Sequence, residues 1–236
     1  MFRFKNFAVN HGNSSMKVGV DAVLLGAWVE FDSPKRILDV GCGCGVIAMI
    51  LAFRYPEASV LAVDIDLPSV KETQNNFESF SHNSRLKAMQ KEFPGDINEI
   101  EGKFDIIVSN PPYFNSGIPN PETRREKARH QASLSVFSLI EHAPRLLEDT
   151  GVLAVIFPTE FLNQVIDFAE MKGMRPVRIC KVRNNERRPE KRVMIEFKRK
   201  EADPEGECEK KNLILFKEGQ PSETYLELCR DLYLKF

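Results

Sequence analysis

The sequence predicts an α/β fold: a doubly wound, mostly parallel sheet closed by an antiparallel hairpin. Three observations predict it. Short apolar runs at 36–40, 59–64, 104–110 and 151–158 alternate with amphipathic or apolar stretches long enough for helices, the pattern of a parallel sheet covered on both faces. A cluster of glycines follows the first of these runs directly. Near the end the alternation stops, and two apolar runs, 175–183 and 192–200, are joined only by the polar loop NNERRPEK, which reads as a hairpin.

Taken in order, residues 1–19 alternate, with Phe2, Phe4, Phe7 and Val9 between polar residues. They read as a hairpin turning at His11-Gly12-Asn13-Ser14. Residues 20–30 read as an apolar helix. RILDV (36–40) is a strand, DVGCGCG the loop after it, and residues 46–55 a helix. SVLAVD (59–64) is a strand. Residues 67–80 form a helix opened by Pro68 near its first turn. Residues 85–90 form a strand, and FDIIVSN (104–110) a strand ended by Pro111 and Pro112. Residues 133–148 are expected to be a helix, 151–158 a buried strand, and 160–173 a helix ending at Gly173. The polar stretch 201–211 reads as a surface loop, followed by a strand and a closing helix. The expected division is an N-terminal hairpin and helix (1–32) packed on the cofactor site, a main domain (33–200), and a C-terminal loop, strand and helix (201–236).

With 236 residues, 42% hydrophobic and 28% charged, the chain can bury one full core with a small appendage. Its net charge of −1 means that any nucleic-acid contact must come from a local basic patch. No apolar run is long enough to span a membrane, and the N-terminus lacks the core of a signal peptide, so the expected location is the cytoplasm. The cysteines Cys42, Cys44, Cys180, Cys208 and Cys229 fit no zinc spacing. Cys42 and Cys44 read as small apolar fillers of a turn, the histidines are scattered, and no metal is expected.

Gly41, Gly43 and Gly45 stand where an open α/β sheet binds its cofactor, at the carboxyl end of a strand. A dinucleotide fingerprint requires glycine where Val46 stands. Without it a pyrophosphate cradle is disfavoured, and a nucleoside bearing an amino-acid tail fits better. Asp39 beside this loop suits the ammonium of such a tail. Asp64, at the end of the second strand, suits a ribose diol, with Asp66 the alternative. Glu92, past the third strand, suits the cofactor's adenine amino group, with Asp96 its competitor.

Asn110-Pro111-Pro112-Tyr113 follows the fourth strand, which neighbours the first in a doubly wound sheet. A conjugated NH2 is a poor nucleophile. The Asn110 side-chain oxygen and the Pro111 carbonyl can accept its two N–H bonds and so aim its lone pair. The prolines make that carbonyl rigid, and Tyr113 offers a face for stacking. The arrangement suits transfer of a group such as methyl to a planar amino nitrogen, which requires neither a strong base nor a covalent nucleophile.

These segments resemble class I N-methyltransferases acting on adenine N6 or on glutamine amides. FKNFAVNHGNSSMKVGVDAVLLGAW at the N-terminus closely resembles the opening of the bacterial tRNA1(Val) (adenine-37-N6)-methyltransferase family, and the likeness continues to NNERRPEKRVMIEF. The resemblance implies a seven-stranded Rossmann-like methyltransferase sheet, S-adenosylmethionine as cofactor, tRNA as substrate, and a monomer. It implies that the segment from Lys17 through Gly19 to Asp21 packs beside the cofactor, and that Asn110 also borders it. The sequence departs at Val20, where the family pattern has threonine, and at Glu92, where it has aspartate and the acceptor is kept. Two basic segments are expected to meet RNA: Arg124, Arg125, Lys127 and Arg129 after the catalytic motif, and Arg187, Arg188, Lys191 and Arg192 at the hairpin tip. A protein glutamine methyltransferase would share the motif, but such enzymes carry a larger N-terminal domain. An rRNA or DNA adenine methyltransferase would share it too. A non-catalytic nucleotide-holding module would have lost the loop or the tetrad.

Overall fold

The computed structural model describes residues 1–14, 17–81, 83–112, 134–204 and 206–235. Its strands are β1 (Phe2–Arg3), β2 (Ala8–Val9), β3 (Arg36–Val40), β4 (Ser59–Asp64), β5 (Leu86–Gln90), β6 (Phe104–Ser109), β7 (Leu147–Pro158), β8 (Met174–Asn185), β9 (Arg192–Arg199), β10 (Glu209–Lys217) and β11 (Gln220–Pro221). Its helices are α1 (Val20–Trp28), α2 (Val46–Arg54), α3 (Leu67–Glu78), α4 (Val136–His142), α5 (Leu162–Met171) and α6 (Glu223–Cys229).

Among the described residues the main sheet runs β11-β10-β8-β9-β7-β6-β3-β4-β5. The five strands from β7 to β5 are parallel, and β9 lies antiparallel between β7 and β8. The seven strands from β8 to β5 form the expected sheet with its hairpin. The strand expected after the polar loop extends it, because β10 pairs parallel to β8. From β3 the chain builds outward through β4 to β5, then returns to add β6 and β7 on the other side. The strand order therefore reverses between β3 and β6, and the carboxyl edge at such a reversal is where open α/β sheets bind ligands.

The sheet divides the core in two. Helices α1, α2, α3 and α6 cover one face, with Leu24, Met49, Ile50 and Phe77 fully buried. Helices α4 and α5 cover the other, over Ile107, Leu153, Phe157 and Phe197. Because β3 and β6 are covered on both faces, their sequences are nearly unbroken apolar runs.

Two expected boundaries move. The N-terminal hairpin turns earlier, between Phe4 and Phe7, whose backbone groups bond at 2.8 Å, and Phe2 pairs with Val9. The glycine at 12 lies in a separate loop, where side-chain acceptors hold the backbone. The helix expected to reach residue 148 ends at His142 and passes through a 3-10 turn carrying Pro144. A proline there lacks the amide to continue the helix, and Leu147 already pairs with Phe104 in the sheet.

Candidate active site

Register brings the site together. Asp39 of β3 faces Val108 of β6, so Gly41 and Asn110, each two residues further on, lie side by side at the carboxyl edge. Ala62 faces Asp39, which sets Asp64 level with Gly41 on the other side. Gln90 faces Asp64, and Glu92 follows two residues later. Asn110, Gly41, Asp64 and Glu92 therefore line one edge across four neighbouring strands. A hydrogen bond from Ser109 Oγ to the Val40 carbonyl, 2.7 Å, locks β6 to β3 just below it.

Gly41, Gly43 and Gly45 have φ of +72°, +55° and +76°, a left-handed conformation that side chains disfavour. Space is short as well: a Cβ on Gly41 would stand 2.5 Å from Leu134, and one on Gly45 2.7 Å from Thr73 Cγ2. Cys42 and Cys44 are buried. Burial pushes the Cys44 thiol up to about 11 and the Cys42 thiol up as well, which suits small apolar fillers.

Asp39 is fully buried. Its Oδ2 accepts the Ala48 amide at 3.0 Å, while Oδ1 has no partner among the described residues. Burial drives its carboxyl up to about 7 against the opposing pull of the Ala48 amide, and Asp64 adds to the rise. A buried acceptor left open is expensive, and a ligand cation is the partner that would satisfy it. The half-buried Asp64 accepts Gly43 N at 2.8 Å and Asp66 N at 2.9 Å. Burial again raises its carboxyl, opposed by those amides. An open buried carboxylate, a strand-end carboxylate and a left-handed glycine turn together fit a nucleoside with an ammonium-bearing tail.

Both alternative acids serve the backbone instead. Asp66 caps α3, accepting from Ser69 N at 3.0 Å and from Ser69 Oγ at 2.6 Å. Asp96 accepts the Glu92 amide at 2.8 Å, which leaves the Glu92 carboxylate as the acid at that corner not used as a turn acceptor. Lys17 is exposed, and Gly19 stands at the start of α1. Pro111 is buried beside the half-buried Asn110, and Pro112 is exposed. Tyr113, Arg124, Arg125, Lys127 and Arg129 lie outside the described residues.

The hairpin tip projects from the same edge. Pro158 at the end of β7 faces Arg192, two strand spacings from Asn110, or ~10 Å across. Arg187, Arg188 and Lys191 are exposed there. Arg192 is half-buried and pairs with Asp21 of α1 at 2.6 Å, and Arg183 pairs with Glu190 across the hairpin. Residues 181–192 hold six basic side chains against two acidic ones.

A further set of site residues escaped the sequence reading. Ser69, Glu72, Thr73 and Asn76 form a buried polar stripe along α3. Thr73 Oγ1 donates to the Gly43 carbonyl at 2.8 Å, and Asn76 Nδ2 to the Cys44 carbonyl at 2.9 Å. Asn76 also pairs both backbone groups of Asn10 at 2.8 Å. Glu72 accepts the amides of Gly12, Asn13 and Ser14 at 2.8, 3.1 and 2.7 Å. The signal was present: LPSVKETQNNFE has too few apolar residues to supply a buried face, so polar residues at three- and four-residue spacing had to be buried.

Among the described residues no group of three His, Cys, Asp or Glu side chains is placed to hold a metal, and no helix is long and apolar enough to cross a membrane.

Comparison with known proteins agrees with this fold. The methyltransferase small domain family model matches residues 14–171. A tRNA1(Val) (adenine(37)-N6)-methyltransferase of Bacteroides fragilis is 36% identical, covering 99% of this chain and 98% of its own. The protein of that name from Trichodesmium erythraeum is 35% identical, covering 100% and 98%. One from Vibrio campbellii is 32% identical, covering 99% and 95%. Among solved structures, a predicted O-methyltransferase of Agrobacterium tumefaciens superposes with a TM-score of 0.69 at 16% identity, over 92% of this chain and 99% of that one. A precorrin-6y C5,15-methyltransferase of Geobacter metallireducens gives 0.52 at 16% identity, over 81% and 91%. These two likenesses are of fold. The family match and the full-length relatives go further, and with them the chain belongs to the methyltransferase small domain family and, within it, to the S-adenosylmethionine-dependent tRNA1(Val) (adenine(37)-N6)-methyltransferases.

Proposed function

We propose that the protein methylates N6 of an adenine in tRNA, at position 37 of tRNA1(Val), in the cytoplasm. The observation that carries this reading is the place of Asn110: at the strand-order reversal, level with the left-handed turn at Gly41. An amino nitrogen held by Asn110 there lies next to whatever the glycine loop holds.

S-adenosylmethionine, when bound, supplies an electrophilic methyl group. The chain supplies position. Asp64 receives the ribose hydroxyls, the open Oδ1 of Asp39 receives the ammonium, directly or through water, and Glu92 accepts from the cofactor's adenine amino group. The segment from Lys17 to Gly19 borders the site. The Asn110 oxygen and the Pro111 carbonyl accept the two N–H bonds of the target amine and direct its lone pair. As the bond to carbon forms, the nitrogen becomes cationic, and these same acceptors bind it more strongly, so the arrangement favours the transition state over the ground state. The extra proton then leaves to solvent. A base in a folded RNA must be turned out of its stack, which costs a few kcal/mol, and stacking on Tyr113 can return ~1–3 kcal/mol. Arg187, Arg188 and Lys191, at the rim beside this edge, suit the phosphates flanking that base, as does the basic run Arg124, Arg125, Lys127 and Arg129.

The test is to incubate the protein with labelled S-adenosylmethionine and tRNA from cells lacking the modification, then digest and identify the labelled nucleoside. N6-methyladenosine from tRNA1(Val) is the expected product. Label in protein glutamine, or in another nucleoside, overturns the reading.

A further inference from the structure

We infer that Thr73 and Asn76 are positioning residues for the cofactor: from behind the glycine loop they hold its carbonyls inward and so fix the left-handed turn on which the ligand rests. The inference rests on the cofactor assignment above. A buried loop must satisfy its carbonyls inside the protein. In the stretch from Gly41 to Gly45 the Cys42 carbonyl accepts Gly45 N at 2.8 Å. The next two carbonyls are taken by α3, Gly43 by Thr73 Oγ1 and Cys44 by Asn76 Nδ2. Both side chains are fully buried, so no water can replace either donor without entering the core.

The same helix holds the N-terminal segment. Asn76 bonds Asn10 through both of its amide atoms, and the Glu72 carboxylate gathers three successive amides from Gly12 to Ser14. One side chain, Asn76, therefore touches both the glycine loop and the segment leading to Lys17 and Gly19. Cofactor binding and the order of residues 10–14 are coupled through it.

Thr73 allows a clean test, because its two branches do different things. Its methyl packs where Gly45 has no side chain, and its hydroxyl bonds the Gly43 carbonyl. Thr73→Val keeps the methyl and loses the donor; Thr73→Ser keeps the donor and loses the methyl. S-adenosylmethionine dissociation constants would be measured by titration calorimetry, with apo melting temperatures and hydrogen exchange at residues 10–14 alongside. Thr73→Val is expected to weaken cofactor binding about tenfold, the effect of one orphaned buried carbonyl, while Thr73→Ser stays within about threefold. Asn76→Asp, which removes the donor to Cys44, is expected to weaken binding and to speed exchange at residues 10–14. A lower melting temperature in Thr73→Val with an unchanged dissociation constant for the folded protein overturns the proposal and makes the stripe a packing feature only. Wild-type protein that binds no S-adenosylmethionine refutes the cofactor assignment instead.

Discussion

Two residues of the site carry distinct expectations. Asn110→Ala is expected to lower kcat at least ~10²–10³-fold, the scale of losing one preorganised transition-state contact. Cofactor affinity should change little, because the glycine loop and Asp64 remain. Asn110→Asp keeps an acceptor of similar size and should retain more activity than alanine. Single-turnover methylation of unmodified tRNA checks both, and wild-type rates in Asn110→Ala would reduce the motif to a turn. Asp39 adds a pH dependence. Its folded carboxyl is raised from 3.8 to about 7, so the folded apo protein holds a proton there that the unfolded chain has released. Its contribution to stability is therefore full below about pH 4 and is lost as the pH climbs to about 7. A cofactor ammonium beside Oδ1 favours the charged form and displaces that proton. Cofactor affinity should thus rise with pH up to about 7 and level off above it, with proton release below that point seen by calorimetry in buffers of different ionisation enthalpy. Asp39→Asn should flatten this profile. The sequence made Asp39, Asp64 and Asn110 legible because each ends a recognisable strand. It could not reveal that Asp39 keeps one oxygen open, since that depends on where Ala48 and Asp64 come to rest.

At the scale of elements, the hairpin of β8 and β9 was legible from two apolar runs and a short polar loop, but its placement was not. Pairing of β9 with β7 aims the tip at the carboxyl edge, and the Arg192–Asp21 pair ties it to the start of α1. Arg192 is thereby partly occupied, whereas Arg187, Arg188 and Lys191 face solvent. Reversing the charge of Arg187 and Arg188 together should weaken tRNA binding and flatten its dependence on salt, with a slope smaller by about 2 if each neutralises one phosphate. Affinity for S-adenosylmethionine should stay the same. A wild-type binding curve with no salt dependence would remove phosphate contact from the hairpin. Helix α3 taught the opposite lesson. Its position was legible from Pro68 and the flanking strands; that Glu72, Thr73 and Asn76 supply its buried face was not read from the sequence, and their partners could not be. Polar side chains are buried in a helix when neighbouring backbone groups need partners, and those partners come from residues 10–14 and 43–44, distant in sequence. The end of α4 was missed for a similar reason: pairing of Leu147 with Phe104 overrides the helical pattern of residues 143–148.

Across the whole molecule, the two chain ends meet. Phe4 bridges to Tyr233, Lys5 N donates to the Leu232 carbonyl at 2.8 Å, and the Lys5 ammonium reaches the Arg230 carbonyl at 2.5 Å. Phe4 stacks on Phe7 with centroids 4.7 Å apart and on Tyr233 at 6.2 Å, and Phe7 continues to Phe53 of α2 and to Phe80. One run of rings thus links the first residues, the last residues and the helices behind the cofactor loop. This bears on how the chain divides. The order of elements along the sequence predicts an N-terminal unit of 1–32, a main domain of 33–200 and an appendage of 201–236. If residues 201–236 were a separate folding unit, loosening the clasp would create an early melting step and leave the main transition in place. We expect a single transition instead, because β10 is a strand of the main sheet and Phe4 belongs to the same core as α1 and α2. Phe4→Ala should cost ~3–5 kcal/mol, as large-to-small changes at buried aromatics do. For a chain of this length that lowers the melting temperature by roughly 6–20 °C. Scanning calorimetry reads both the shift and the number of transitions. Saturating S-adenosylmethionine should recover part of the loss at a hundredfold excess over its dissociation constant, up to ~2.7 kcal/mol. Two resolved transitions in Phe4→Ala, the upper one at the wild-type temperature, would show that the ends fold apart from the sheet and that the clasp is a contact between units.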